Sequence, residues 1–204
     1  MKNFRNIIAL TVALAGSPSF AQDATNKPDD SQMMAAMMQL AQPGDNHKIL
    51  ATGVGSWTYK VKWWMSPDAP PMESTGTTSC KAVMGGRYFI SEHTGKMSMP
   101  GADGKPAEME FKGMGTEGYD NAKKKFVASW IDNMGTGIML MEGTYDPATK
   151  CLTYIGDETP MPGMTMKVRQ AVKIIDNDHR VIEFFEDRGG ASQTKTMEIT
   201  YTRS

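Results

Sequence analysis

Methionine sulfur is the first candidate for chemistry in this chain: 19 of its 204 residues are Met. Three groups have spacings that could hold a soft cation: Met161-x-x-Met164-x-Met166, Met97-x-Met99 and Met139-x-Met141. Thioethers suit Cu(I), so Met161, Met164 and Met166 form the candidate metal set. The same spacing has a simpler use. Met-x-Met on a strand places both sulfurs on one face, where they pack. The three histidines, His47, His93 and His179, are far apart and show no metal spacing. A haem would need an inward histidine, and His93, which shares parity with Phe89, is the one that fits best. No other cofactor is indicated.

Acid–base chemistry has two candidate carboxylate settings, Asp132 near Trp130 and Glu183 with Asp187. Acids at strand ends are more often solvated or capping turns. Arg87, Arg169 and Arg188 could meet an anionic head group, but pairing on a wet face is their commoner use. Gly-x-Ser-x-Gly, His-Glu-x-x-His, a P-loop and a dinucleotide fingerprint are all missing from the sequence. The catalytic list is therefore empty, and the reading leans away from an enzyme.

The elements that would position these side chains are strands. In GSWTYKVKWW, residues 55–64, Trp57, Tyr59, Val61 and Trp63 share one parity. That period of two predicts a strand with one aromatic face. About ten such segments follow, near 54–65, 73–84, 87–95, 107–117, 125–133, 137–145, 151–157, 164–175, 180–188 and 194–203. Short turns join them and no long helix intervenes, which requires a mainly antiparallel sheet. So many sequential strands expose edges unless the sheet closes. The expected fold is all-β, an antiparallel up-and-down barrel, with a two-layer sandwich as the alternative. GTEGYD and GTYD read as strand ends, with Asp120 and Asp146 bonding the backbone of the turns.

Three segments precede the strands. Residues 1–21 combine Lys2 and Arg5, the apolar run from Ile7 to Gly16 and a small-x-small site before Gln22. This predicts a signal peptide cleaved near Ala21 and a periplasmic or secreted protein. Residues 22–42 read as a disordered stretch followed by a Met-rich helix over 31–42, an amphipathic lid capped by Asp30 or Ser31. A short helix capped by Asp45 leads into the barrel domain, 43–204. The full chain carries a formal charge of −1, and it has no basic block for nucleic acid. No later apolar run is long enough to span a membrane as a helix. Cys80 and Cys151 are the only thiols. They could pair in an oxidising compartment or remain two buried thiols.

A set of phrases carries a family resemblance: HKIL (47–50), GVGSW (53–57), GGRYF (85–89), FKGMGTEGYD (111–120), WIDNMGTG (130–137) and MEITYTR (197–203). Together they resemble an uncharacterised bacterial family, domain of unknown function 1579, over about residues 43–203. The resemblance implies a lipocalin-type barrel and supplies no catalytic residues. The chain ends are also similar to lipocalin-like barrels, in which a Gly-x-Trp on the first strand meets an arginine on the last. Gly55-Ser56-Trp57 and Arg203 match, which implies that Trp57 and Arg203 close the barrel base.

Inside such a barrel, the expected ligand-lining set is Tyr59, Trp63, Trp130, Met139, Met141, Met164 and Met166, with Ile138 and Leu140 competing for the parity of Met139 and Met141. These residues either fill a core or line a cup for a small hydrophobic or amphipathic molecule. The expected function is a non-enzymatic binding barrel. A Met-rich Cu(I)-binding protein and an uncharacterised enzyme stand as alternatives.

Overall fold

The computed structural model describes residues 29–100, 105–187 and 193–204. The predicted signal peptide, the polar segment up to residue 28 and Arg188 lie outside the described residues. Two short helices, α1 (Asp30–Leu40) and α2 (Asp45–Ala51), precede ten strands. These are β1 (Gly55–Trp63), β2 (Met72–Val83), β3 (Tyr88–Pro100), β4 (Pro106–Asp120), β5 (Lys125–Asp132), β6 (Met139–Asp146), β7 (Cys151–Met161), β8 (Met164–Ile174), β9 (His179–Glu186) and β10 (Thr194–Arg203). Each strand pairs antiparallel with its sequence neighbour, and β1 pairs with β10, so the sheet closes into a barrel. Closure leaves no unpaired edge, which excludes the sandwich.

Register follows the alternation seen in the sequence. Trp57 pairs with Arg203, Tyr59 with Tyr201 and Trp63 with Met197. The inward residues of β1 meet those of β10, while Thr58, Lys60 and Lys62 face solvent. The Met97-x-Met99 segment continues β3 rather than forming a loop. Asp120 and Asp146 cap their turns. Asp120 Oδ1 accepts from the Ala122 and Lys123 amides at 2.9 Å, and Asp146 Oδ1 from Ala148 at 2.9 Å. Such local acceptors satisfy turn N–H groups that no strand can reach.

The strand starts of β1, β3, β5, β7 and β9 lie at one end of the barrel, its base. There Leu50, Phe89, Phe126, Met141, Leu152, Tyr154 and Val172 form the main core. Trp57, Tyr59 and Tyr201 form a second cluster beside it. Helix α2 packs at this base with His47 and Leu50 buried. Its Gly44 amide donates to His47 Nδ1 at 3.0 Å, and the His47 ring meets Tyr119 edge-on at 5.9 Å. The expected side-chain cap at Asp45 is replaced by Gly44, and Asp45 is the first helical residue.

Helix α1 departs from its expected role. Its N-cap is Asp29, which forms a capping box with Gln32, not Asp30 or Ser31. It is tied to the base: Arg87 Nε donates to Ala41 O at 2.8 Å, and Asn121 Nδ2 donates to Leu40 O at 2.7 Å. Those partners belong to the β2–β3 and β4–β5 turns, opposite the mouth, so the helix is no lid over the opening. All of its residues are exposed, including Met33, Met34, Met37 and Met38. No helix among the described residues is long and apolar enough to cross a membrane.

Candidate functional site: the barrel lumen

The base is sealed by cations on an indole. Arg203 lies 4.2 Å from the centre of the Trp57 ring and Arg180 lies 5.0 Å away. Arg203 also donates to Val54 O at 2.8 Å, Thr52 O at 3.0 Å and Asn177 O at 3.0 Å. Trp57 Nε1 donates to Gly53 O at 2.9 Å. One buried ring and one arginine thus tie the chain entering β1 to the end of β10.

Tyr59 lies against this seal, and its hydroxyl reaches the wall, donating to Thr94 O at 3.2 Å. The wall admits it because positions 76 and 95 are glycine. A Cβ at Gly76 would collide with the Tyr59 hydroxyl and Thr94 O, and one at Gly95 would lie 2.6 Å from that hydroxyl. Met141 is 6 % exposed and belongs to the packed core. Met139 is half-buried beside it. Ile138 and Leu140 are 67 % and 66 % exposed, on the outer wall.

Trp130 is half-buried toward the mouth. It stacks with Phe111, ring centres 6.4 Å apart, and meets His93 edge-on at 4.9 Å. Its Nε1 donates to Asp132 Oδ2 at 2.8 Å, which gives Asp132 an orienting role. Trp63 is half-buried at the last position of β1. Met166 is half-buried opposite Glu158, while Met164 is 44 % exposed at the β7–β8 turn. Met161 and Met164 are cross-strand partners at that turn, with Met161 also exposed.

Other polar residues weighed in the sequence have ordinary partners. Glu183 faces outward and pairs with Lys173 at 2.6 Å and Lys195 at 3.4 Å. Arg169 stacks on Phe185 at 3.8 Å, and Arg87 is spent on Ala41 O and Met84 O. His179 contacts Asp176 in a turn at 3.0 Å. Cys80 and Cys151 are free thiols, and burial pushes the Cys80 thiol up to about 11. Among the described residues no group of three or more His, Cys, Asp or Glu side chains is placed to hold a metal ion.

The lumen also holds polar residues that the sequence reading did not select. Tyr154, wholly buried, donates its hydroxyl proton to Glu117 Oε1 at 3.0 Å. Burial pushes the Glu117 carboxyl above its usual range, against the lowering effect of the Tyr154 bond and of Arg180. Burial also pushes the Tyr154 and Tyr201 hydroxyls up and the Arg180 guanidinium down. His93 Nδ1 lies 2.8 Å from Thr78 Oγ1, and burial pushes its imidazole down to about 4, so the ring is neutral at pH 7. At the mouth, burial raises Glu158, with Glu186 and Asp132 adding repulsion. A signal for Glu117 was present. Phe111, Gly113, Gly115, Glu117 and Tyr119 share one parity, and the two inward glycines admit the Trp130 ring, with which a Cβ at Gly113 would collide.

Ser91, His93, Glu117, Trp130, Gln170 and Phe184 all point inward, yet each is half-buried rather than buried. Side chains on the inner face keep such exposure where solvent reaches them inside the barrel. The arrangement is a closed antiparallel barrel, sealed at its base and aromatic toward its mouth, with hydrogen-bonding groups between.

The chain belongs to the family described as protein of unknown function (DUF1579), whose model matches residues 42–203. Among solved structures it is similar to the crystal structure of Rv2717c from M. tuberculosis, with 14% identity, a TM-score of 0.54, and coverage of 80% of this chain and 99% of that one. At that identity the likeness shows the fold alone. No curated protein matches the chain.

Proposed function

We propose that the protein is an exported, non-enzymatic barrel that binds a small hydrophobic or amphipathic molecule in its lumen. The observation that supports this most is the half-buried state of inward Trp130, His93 and Phe184 within a closed sheet. Trp63, Trp130, Met139 and Met166 form the contact surface for the apolar part of the ligand. Met141 supports it from the core, and Met164 stands at the rim. Met side chains adapt to ligand shape at small cost. Export rests on the character of residues 1–21.

Native mass spectrometry of protein purified gently from its own cells tests this. An added organic mass that leaves on denaturation supports the reading, and a bare chain counts against it. A second reading, Cu(I) held by thioethers, rests on Met161 and Met164 being partners across an exposed turn, with Met166 one step further. A copper mass that disappears in Met164→Leu/Met166→Leu protein favours that reading.

A further inference from the structure

Polar groups inside an otherwise apolar barrel are costly unless something bonds to them. Among the described residues the one buried side-chain polar atom without a partner is Arg180 Nε. Around it other inward groups keep bonding capacity that can meet a ligand: Tyr201, 8 % exposed, brings an O–H. It lies within ring contact of Tyr59 (5.8 Å) and His93 (6.3 Å). His93 spends Nδ1 on Thr78, which leaves its second ring nitrogen free for another bond. Tyr154 bonds one oxygen of Glu117 and leaves the other free. Gln170 stands directly across from Tyr154 in the β7–β8 register and makes no side-chain hydrogen bond. These residues come from β3, β4, β8 and β10, so they surround the lumen rather than line one wall.

We propose that Glu117, Gln170, His93 and Tyr201 form a subsite that seats the uncharged, hydrogen-bonding head group of an amphipathic ligand, whose tail lies toward the mouth against Trp63 and Trp130. This rests on the binding reading above and names its ligand class. The subsite mixes donors and acceptors: the Tyr201 O–H and Gln170 amide donate, and the free Glu117 oxygen accepts. A hydroxyl or carboxamide head satisfies both kinds. A carboxylate head would face the Glu117 carboxyl, find a neutral imidazole at His93, and meet Arg180 only where that cation already lies over the Trp57 ring and beside Glu117. An ammonium head would enter a lumen that already holds the Arg180 guanidinium, which is near enough to Glu117 to act on it. Either charged head also loses its hydration without a full counter-ion.

The test is displacement of a neutral fluorescent probe, N-phenyl-1-naphthylamine, by chain-matched decan-1-ol, decanamide, decanoate and decylamine at pH 7. The two neutral heads are expected to bind about tenfold or more tightly than the charged ones, the scale of one well-made hydrogen-bond difference. Tyr201→Phe and, separately, Gln170→Met are expected to reduce that preference several-fold. Near-UV circular dichroism and a thermal melt show whether each variant is folded, and the Gln170→Met arm stands if Tyr201→Phe is not. Equal binding of all four compounds overturns the subsite and leaves the binding cup standing. Tighter binding of decanoate or decylamine overturns it too. Failure of the probe and of all four compounds to bind removes the cup itself, and the subsite with it.

Discussion

The Tyr154 hydroxyl and the Glu117 carboxyl, on opposite sides of the β5–β6 hairpin, are joined inside the barrel by a 3.0 Å hydrogen bond. Tyr154 also belongs to the main core. The bond therefore links the packed base to the polar lumen. Removing only the donor, in Tyr154→Phe, keeps the ring and takes its hydrogen bond from the half-buried Glu117 carboxyl. The expected loss is about 1–3 kcal/mol in urea unfolding, with an unchanged dependence on denaturant. The Glu117 pKa, which this bond holds down, is expected to rise further in the variant, a shift that carboxyl NMR titration would read.

The seal at the base makes a second prediction. Arg203 combines a cation–π contact with three backbone carbonyl bonds. Arg203→Ala is expected to cost about 2–4 kcal/mol, since a desolvated cation–π pair and charged hydrogen bonds are lost together. Arg203→Lys keeps the charge but not the planar fork, and should recover less than half of the loss. Equal stability of all three proteins would remove the closure role from Trp57 and Arg203.

Close approach at a glycine gives a third. Gly76→Ala places a methyl group where the Tyr59 hydroxyl and Thr94 O already sit. Overpacking of this kind costs about 1–3 kcal/mol. Combining it with Tyr59→Ala, which removes both clashing Tyr59 atoms and leaves only the Thr94 O contact, should cost less than the sum of the two single changes, so that they are not additive.

Proton linkage gives a fourth. An imidazole in the unfolded chain titrates near its usual value of 6.5, and His93 in the folded protein near 4. Between these values the unfolded chain binds more protons, so this group's contribution to stability falls as pH drops through that window. The loss is at most about 3 kcal/mol. His93→Gln, which can still bond Thr78, should flatten the stability profile between about pH 4 and 6.5 relative to the parent. Parallel profiles for the two proteins would contradict the burial of a neutral ring.

How much of this was legible in the sequence differs by element. The parity of Trp57, Tyr59, Val61 and Trp63 marked β1 and its inward face, because one face is aromatic and the other mostly Lys and Thr. The parity of β6 was not decidable from hydrophobicity. Ile138 and Leu140 are apolar and yet lie outside, and it is the contacts of Met139 and Met141 with the core that fix the face. The Met-rich helix was misread for a similar reason. Its apolar spacing suggested a surface to cover, but spacing says nothing of which end of the barrel the helix meets, and the hydrogen bonds of Arg87 and Asn121 hold it at the base. Glu117, Gln170 and Arg180 were missed because single polar residues in strands read as outward. Only the ladder registers place them inside.

The central claim is that the lumen receives a ligand, and a saturable titration with N-phenyl-1-naphthylamine tests it most directly. The barrel is predicted to bind one probe per chain, saturably. Ser91→Phe, which puts an aromatic ring into the lumen next to Gly115 and Trp130, should abolish this binding while the protein keeps its fold by circular dichroism. Absence of saturable binding, or equal binding by the folded Ser91→Phe protein, would contradict the account.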